Sequence, residues 1–246
     1  MNKHVLETAQ LLGEAAAEQA SSLLNDTIAK QGYARIILST GASQFPFFEA
    51  ISRKSIDWSK VEMFHLDEYI DMPETHKASF RKYLKERFLS FASVKKAHFV
   101  DGEGDVSAHL VELSEEIRKA PIDLALIGIG ENAHIAFNDP PADFETKEAY
   151  KVVELDAACR QQQLGEGWFE SLEVVPTHAI TMTVHQIMAS KTIISVVPHA
   201  VKAQAIRSTL AEGITNTVPA TILKTHGDWH LYLDQNSASL LPVNQG

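Results

Sequence analysis

Cysteine is nearly absent from this chain: Cys159 is the single one in 246 residues. That excludes an internal disulfide and the stapled secreted scaffolds that depend on one. A lone thiol with no histidine beside it in sequence reads as a buried spectator and fits a reducing, cytoplasmic setting. Long apolar runs are missing too, and nothing approaches the roughly 18 residues of a membrane span. Glu7, Glu14 and Glu18 interrupt the opening stretch where a signal peptide would be apolar. Basic residues are few, 22 Lys and Arg against 32 Asp and Glu, for a formal charge of -10. Nucleic acids and anionic membranes need a basic surface, so neither is expected as a partner. A small phosphorylated ligand needs only a local anion site and stays open. The 11 histidines are scattered without helical ligand spacing, so no metal is expected.

What the chain does have is a hydrophobic run that ends in a polar cluster. Ile122 to Asp139 reads IDLALIGIGENAHIAFND. Its apolar first half, Ile122 to Ile129, has the character of a strand buried on both faces. Gly128 and Gly130 then let the backbone turn tightly, and Glu131, Asn132, His134, Asn138 and Asp139 follow at once. In open α/β sheets, ligands bind just past the carboxyl ends of strands.

Other stretches repeat the theme. Val5 to Leu24 is an expected amphipathic helix. Ala34 to Leu38 is a strand that runs into Ser39-Thr40-Gly41-Ala42-Ser43, with a helix from Phe45 to Ile51. A hydroxyl- and glycine-rich turn before a helix suits an anion, and equally suits an ordinary N-cap by Ser43. Val61 to Leu66 is a strand that delivers Asp67 and Glu68, two carboxylates able to serve as a general base and its orienting partner, or simply as a solvated pair. Ser79 to Ser90 is an amphipathic helix with Phe80, Tyr83, Leu84 and Phe88 assigned to the core. Further strands are expected at 97–100, 150–155, 178–184, 192–197 and 229–233, and helices at 106–120, 187–190 and 200–210. Residues 159–173, polar and rich in Gln and Gly with Trp168 and Phe169, lack a period and read as a mobile segment covering a site or as a surface helix-turn, and 236–246 form a polar tail. Lys202 in the first turn of a helix opposes the dipole, which suits a solvated lysine or one clamping an anion. Strands alternating with helices call for a mostly parallel α/β sheet with helices on both faces. No repeat or long linker divides residues 1–246, so one Rossmann-like domain is expected.

Three motifs in order, STGAS at 39–43, LDEY at 66–69 and GIGENAHIAFNDP at 128–140, resemble those of the glucosamine-6-phosphate deaminases, also called isomerases. AITMTVHQIMAS at 179–190 and VPHAVKAQAI up to Ile206 extend the resemblance over nearly the whole chain. The superfamily is shared with 6-phosphogluconolactonases, whose motif usually continues differently after the histidine, so HIAFN favours the deaminase branch. The resemblance implies that Thr40, Gly41, Ser43 and Lys202, with Ala42 in the same turn, hold a sugar phosphate. It implies that Asp67 moves a proton between C2 and C1, and that His134 opens the pyranose ring, oriented by nearby acids. No cofactor is implied.

The chain departs from that pattern in several places. Asp139 stands where the family usually has glutamate, and Asn132-Ala133 where Asp-Gly is usual; asparagine can still accept a hydrogen bond from the imidazole, and Glu131 beside it could compensate for the lost charge. The family's substrate arginine is missing, with Arg160 a possible substitute. Residues 142–151 contain no arginine, so the allosteric cluster of hexameric members is not expected, and a monomer or small homo-oligomer is. A lactonase on the same scaffold, an isomerase for another sugar phosphate and a non-catalytic sugar-phosphate sensor stand as alternatives, the last motivated by Asn132.

Overall fold

The computed structural model describes residues 1–165 and 167–242. Seven strands form one wholly parallel sheet: β1 (Asn2–Leu6), β2 (Ala34–Leu38), β3 (Val61–His65), β5 (Lys96–His98), β6 (Leu124–Leu126), β9 (Thr192–Val197) and β10 (Trp229–Asp234), in the order β1-β10-β9-β6-β2-β3-β5. A smaller antiparallel sheet joins β4 (Asp67–Tyr69), β8 (His178–Met182) and β7 (Tyr150–Glu154) in the order β4-β8-β7.

The pleat divides the core. Successive side chains of a strand face opposite ways. Ile36 and Leu38 of β2 enter one apolar cluster and Ile37 the other; Ile194 and Val196 of β9 enter the first, Ile193 and Val197 the second. Helices α1 (Ala9–Gln31), α2 (Phe45–Ile51) and α3 (Phe80–Arg87) cover the first face. Helices α4 (Val106–Arg118), α6 (Val184–Met188) and α7 (Ala203–Ala211) cover the second. Each fully buried large apolar side chain contributes about 1.5–3 kcal/mol relative to exposure. On α1 the buried stripe is built from Leu12, Gly13, Ala16, Ala17, Ala20 and Leu24. Small residues let α2 lie close, and a Cβ on Gly13 would fall 2.8 Å from that of Pro46.

Several boundaries differ from expectation. The chain opens with edge strand β1, not a helix from Val5; α1 starts after Thr8, whose side chain caps Leu11 N, and it runs on to Gly32 in the left-handed region. The 122–129 run pairs as a strand only over Leu124–Leu126, although Ile127 N still donates to Ile194 O at 3.0 Å before the chain turns at Gly128. Residues 150–154 and 178–182 are strands, but of the second sheet. The aperiodic stretch contains helix α5 (Ala157–Gly165), amphipathic only over Cys159 and Gln163. Its Glu166, and residues 243–246 of the expected tail, lie outside the described residues.

All strands of the large sheet run the same way, so their carboxyl ends share one edge. The chain steps from β2 outward to β3 and β5, then crosses back to β6 on the other side of β2. That reversal is the switch point at which loops splay apart and leave a crevice.

Candidate active site

The crevice is a cavity of about 240 Å³ between the loops that follow β2, β3, β6 and β9. Its size suits one small polar molecule rather than a nucleotide or a drug-sized ligand.

One wall is the turn after β2. Gly41 has φ 100° and ψ 160°, which requires glycine because a Cβ would clash with the backbone there. Tyr83 Oη donates to Gly41 O at 2.8 Å, and burial raises the pKa of that phenol, so it stays a donor. The buried Gln44 donates from Nε2 to Ser43 Oγ at 3.0 Å and to Val196 O at 3.1 Å, tying the turn to β9. Thr40, Gly41, Ala42 and Ser43 all line the cavity, and so does Lys202 from the turn after β9. Hydroxyls, backbone and ammonium thus converge on one side.

Asp67 and His134 line the same cavity. Asp67 is 6% exposed and opens β4, where its register with Thr181 of β8 fixes the backbone. His134 sits on a loop that doubles back: Gly130 N donates to His134 O at 2.9 Å and Ala133 N to Gly130 O at 3.0 Å. The imidazole lies flat against Gly130. A Cβ there would stand 2.5 Å from Cδ2 and closer still to Nε2 and Cε1. Asn138 holds the following turn to β8, donating from Nδ2 to Ile135 O at 2.8 Å and Met182 O at 2.9 Å.

Behind the imidazole stands Asp139, its Oδ1 3.1 Å from His134 Nδ1. The N–H points off the line to that oxygen, as catalytic hydrogen bonds can before substrate draws them in. Burial pushes Asp139 up, but the neighbouring His134 imidazole and the bonds from Asn132 and the Cys159 thiol outweigh it and hold the carboxyl below its ordinary range. A carboxylate 3.1 Å from Nδ1 favours the tautomer with its proton on that nitrogen and Nε2 as the acceptor.

The structure separates several residues that the sequence groups together. Asn132 does not hydrogen-bond the imidazole: its Oδ1 accepts from the backbone N of His134 at 3.1 Å, and its Nδ2 donates to Asp139 Oδ1 at 2.9 Å. Glu68 is not at the cavity. It is fully buried on the other side of β4, where Oε1 accepts from Tyr69 N and Phe80 N, and Oε2 from Ser79 Oγ at 2.8 Å and Arg81 N at 2.9 Å. Burial raises its pKa while these donors and Arg81 oppose the rise, so its work is to bind β4 to the start of α3. Arg160 is spent on carbonyls, donating to Leu172 O at 2.5 Å and Val175 O at 3.2 Å. Cys159 is buried as expected but is no bystander, since it bonds Asp139. Two of the aromatics assigned to the core serve the site: Phe80 lines the cavity and Tyr83 fixes Gly41.

Gln162, Gln163 and Trp168 line the cavity from α5 and the segment after it, in the stretch expected either to cover a site or to form a surface helix-turn; His199, from the turn after β9, was not among the expected site residues. Gln163 Oε1 accepts from Tyr69 Oη at 2.6 Å, which docks α5 against β4. The burial of one face of an otherwise polar helix was the available signal.

The family model described as glucosamine-6-phosphate isomerases/6-phosphogluconolactonase matches residues 7–231. The chain belongs to this family. Among relatives, the chain is 32% identical to the glucosamine-6-phosphate deaminase of Bacillus cytotoxicus over 241 residues, 98% of this chain and 89% of that one. The corresponding protein of Bacillus thuringiensis strain Al Hakam is 31% identical over the same length. Among solved family structures, a monomeric glucosamine-6-phosphate deaminase superposes with a TM-score of 0.88 at 26% identity, covering 98% of this chain and all of that one (100%). The 6-phosphogluconolactonase of Thermotoga maritima superposes with a TM-score of 0.78 at 15% identity over 95% of this chain and 99% of that one, a likeness of fold. Among the described residues no helix is long and apolar enough to cross a membrane.

Proposed function

We propose that this chain converts glucosamine 6-phosphate and water to fructose 6-phosphate and ammonia. The observation that carries the reading is the single crevice that sets a hydroxyl, backbone and lysine cradle beside a buried carboxylate and a carboxylate-backed imidazole. Deaminases similar to this chain over almost its full length support the same reading.

The chemistry follows from what each group can do. Thr40, Ser43, the Gly41–Ala42 backbone and Lys202 anchor the phosphate, and this remote binding positions C1 and C2. His134 Nε2 takes the proton of the C1 hydroxyl and returns it to the ring oxygen, which opens the pyranose to the aldehyde. Asp139 stabilises the imidazolium formed between those transfers. Asp67 removes the C2 proton and delivers it to C1, while O1 gains a proton and the C2 nitrogen loses one through solvent, so the aldehyde becomes an alcohol and the C2 amine an imine. Water adds to the imine carbon, ammonia leaves, and the ketone remains. Atoms and charge balance without a redox partner. The single cysteine supports a cytoplasmic setting, and the monomeric state of the deaminase that superposes with a TM-score of 0.88 supports a monomer here.

Purified protein given glucosamine 6-phosphate should release ammonia and fructose 6-phosphate in equal amounts. Folded protein that releases neither, or that hydrolyses 6-phosphogluconolactone instead, overturns the proposal.

A further inference from the structure

His199 adopts φ 80° and ψ 145°, outside the regions open to ordinary L-residues. Strain of this kind costs on the order of 1–3 kcal/mol and persists only where the surroundings enforce it. Here they do. His199 N donates to both carboxylate oxygens of Asp234, at 3.1 Å each. Asp234 is 1% exposed and held in turn by Ser237 N at 2.7 Å. Lys202 N closes the turn on His199 O at 3.1 Å. Glycine would satisfy all of these bonds without strain, yet the position holds an imidazole at the cavity wall.

The charges of that wall give the imidazole a purpose. Among the described residues lining the cavity, Lys202 is the one lysine or arginine, while Asp67 and Glu131 are acids. A phosphate monoester carries a charge of about -1.5 to -2 at neutral pH. A cavity with one ammonium and two carboxylates leaves such an anion short of positive charge. We propose that His199, protonated when the ligand binds, is the second cationic contact of the substrate's phosphate group, beside Lys202. The inference rests on the phosphate-anchor reading above and adds a residue and a pH dependence to it. The charged and titratable groups that share the cavity with His199 are Lys202, Asp67, Glu131 and His134, and Asp234 receives its backbone N–H.

Calorimetric titration with inorganic phosphate tests this without turnover. His199→Asn removes the charge and keeps a polar, non-glycine side chain at the strained position. It should weaken phosphate binding about threefold to fivefold at pH 6, the scale of a partly exposed ion pair, and match the parent at pH 8. The phosphate's own titration is common to both proteins, so the ratio isolates the imidazole. His199→Gly should weaken binding equally while melting no lower than the parent, because the strain is relieved. If both variants bind phosphate within 1.5-fold of the parent at pH 6, His199 does not contact the anion. Lys202→Ala separates the two levels: if it also leaves phosphate affinity untouched, the anchor itself is wrongly placed.

Discussion

Replacing Gly130 by alanine should cripple catalysis while leaving the fold intact. The new Cβ would fall 2.5 Å from His134 Cδ2, where ordinary contact begins near 3.4 Å, so the ring must retreat by at least the difference, 0.9 Å. Nε2 and Cε1 lie nearer still, which makes this a lower bound. The obstacle is the end of a mobile side chain, not backbone, so the ring moves rather than the loop. Gly130 is not among the residues with positive φ, and alanine accepts its conformation. Losing glycine's freedom in the unfolded chain is worth about 0.4–1 kcal/mol in favour of the variant. Melting temperature should therefore hold or rise slightly. Activity should not, since a misplacement near 1 Å costs on the order of a hundredfold. Coupled ammonia release measures kcat, and thermal melts by circular dichroism report stability. The double variant Gly130→Ala/His134→Ala should be no slower than His134→Ala alone, because both changes act on one imidazole. A Gly130→Ala enzyme within threefold of the parent kcat would show that the position of His134 does not govern the reaction.

The cradle and the surrounding network make further demands. Lys202→Ala should raise KM for the sugar phosphate by about tenfold or more, the worth of a charge-assisted bond, and an unchanged KM would remove Lys202 from the anchor. Glu68→Ala should cost about 3 kcal/mol of stability in urea titration, since Ser79, Phe80 and Arg81 lose a buried acceptor; a midpoint equal to the parent's would deny it that structural role. His65 is fully buried, and that burial first, then the Arg81 charge, lowers its pKa to about 3 from 6.5. Between those values the unfolded chain holds the extra proton, so stability should fall as pH drops through that window, by up to about 1.4 kcal/mol per pH unit. His65→Gln should flatten that slope by one proton, and superimposable slopes would refute the assignment. Asn132→Asp should slow ammonia release at pH 7 about tenfold or more, because it sets two carboxylates in contact and lifts one pKa; a faster enzyme would mark the amide as a defect.

The central strands were legible because Ile36, Ile37 and Leu38 of β2 and the Ile193-Ile194 and Val196-Val197 pairs of β9 are consecutive apolar residues without polar alternation, a pattern that burial on both faces sustains. Edge strand β1 was not, since NKHVL has three exposed positions and its pairing partner β10 lies at the far end of the chain. Strands β7 and β8 were legible as strands but not as a separate sheet, because pairing is non-local and leaves no mark within either segment. Site loops announced themselves through glycines and polar clusters at strand ends. The fate of Glu68 was available in principle: neighbours on a strand face opposite ways, so Asp67 and Glu68 could not both reach one cavity. What set the error was ending the strand at Leu66. Tyr83 and Gln163 gave no local signal, as their partners Gly41 and Tyr69 are distant in sequence.

Asn132 looks like a lost acid in sequence and like a fitted part in the structure. Both ends of its amide are used: the oxygen receives the backbone N–H of His134, and the nitrogen donates to the same Asp139 oxygen that faces His134 Nδ1. An aspartate could do the first but not the second, and would repel Asp139 at 2.9 Å. An amide at 132 and a short carboxylate at 139 therefore belong together: one negative charge backs the imidazole, and the neighbouring amide orients that charge instead of adding another. Ala133 follows at φ 65°, Ala136 at φ 51°, so the loop keeps backbone turns that glycine would adopt more cheaply. The bonds from Gly130, Asn138 and Ala220 to this loop, with Ala220 N donating to Ala133 O at 2.9 Å, are what hold those turns in place. Strain concentrated where the imidazole is aimed, and held there by a dedicated set of hydrogen bonds, is the mark of a working site rather than of a retired one.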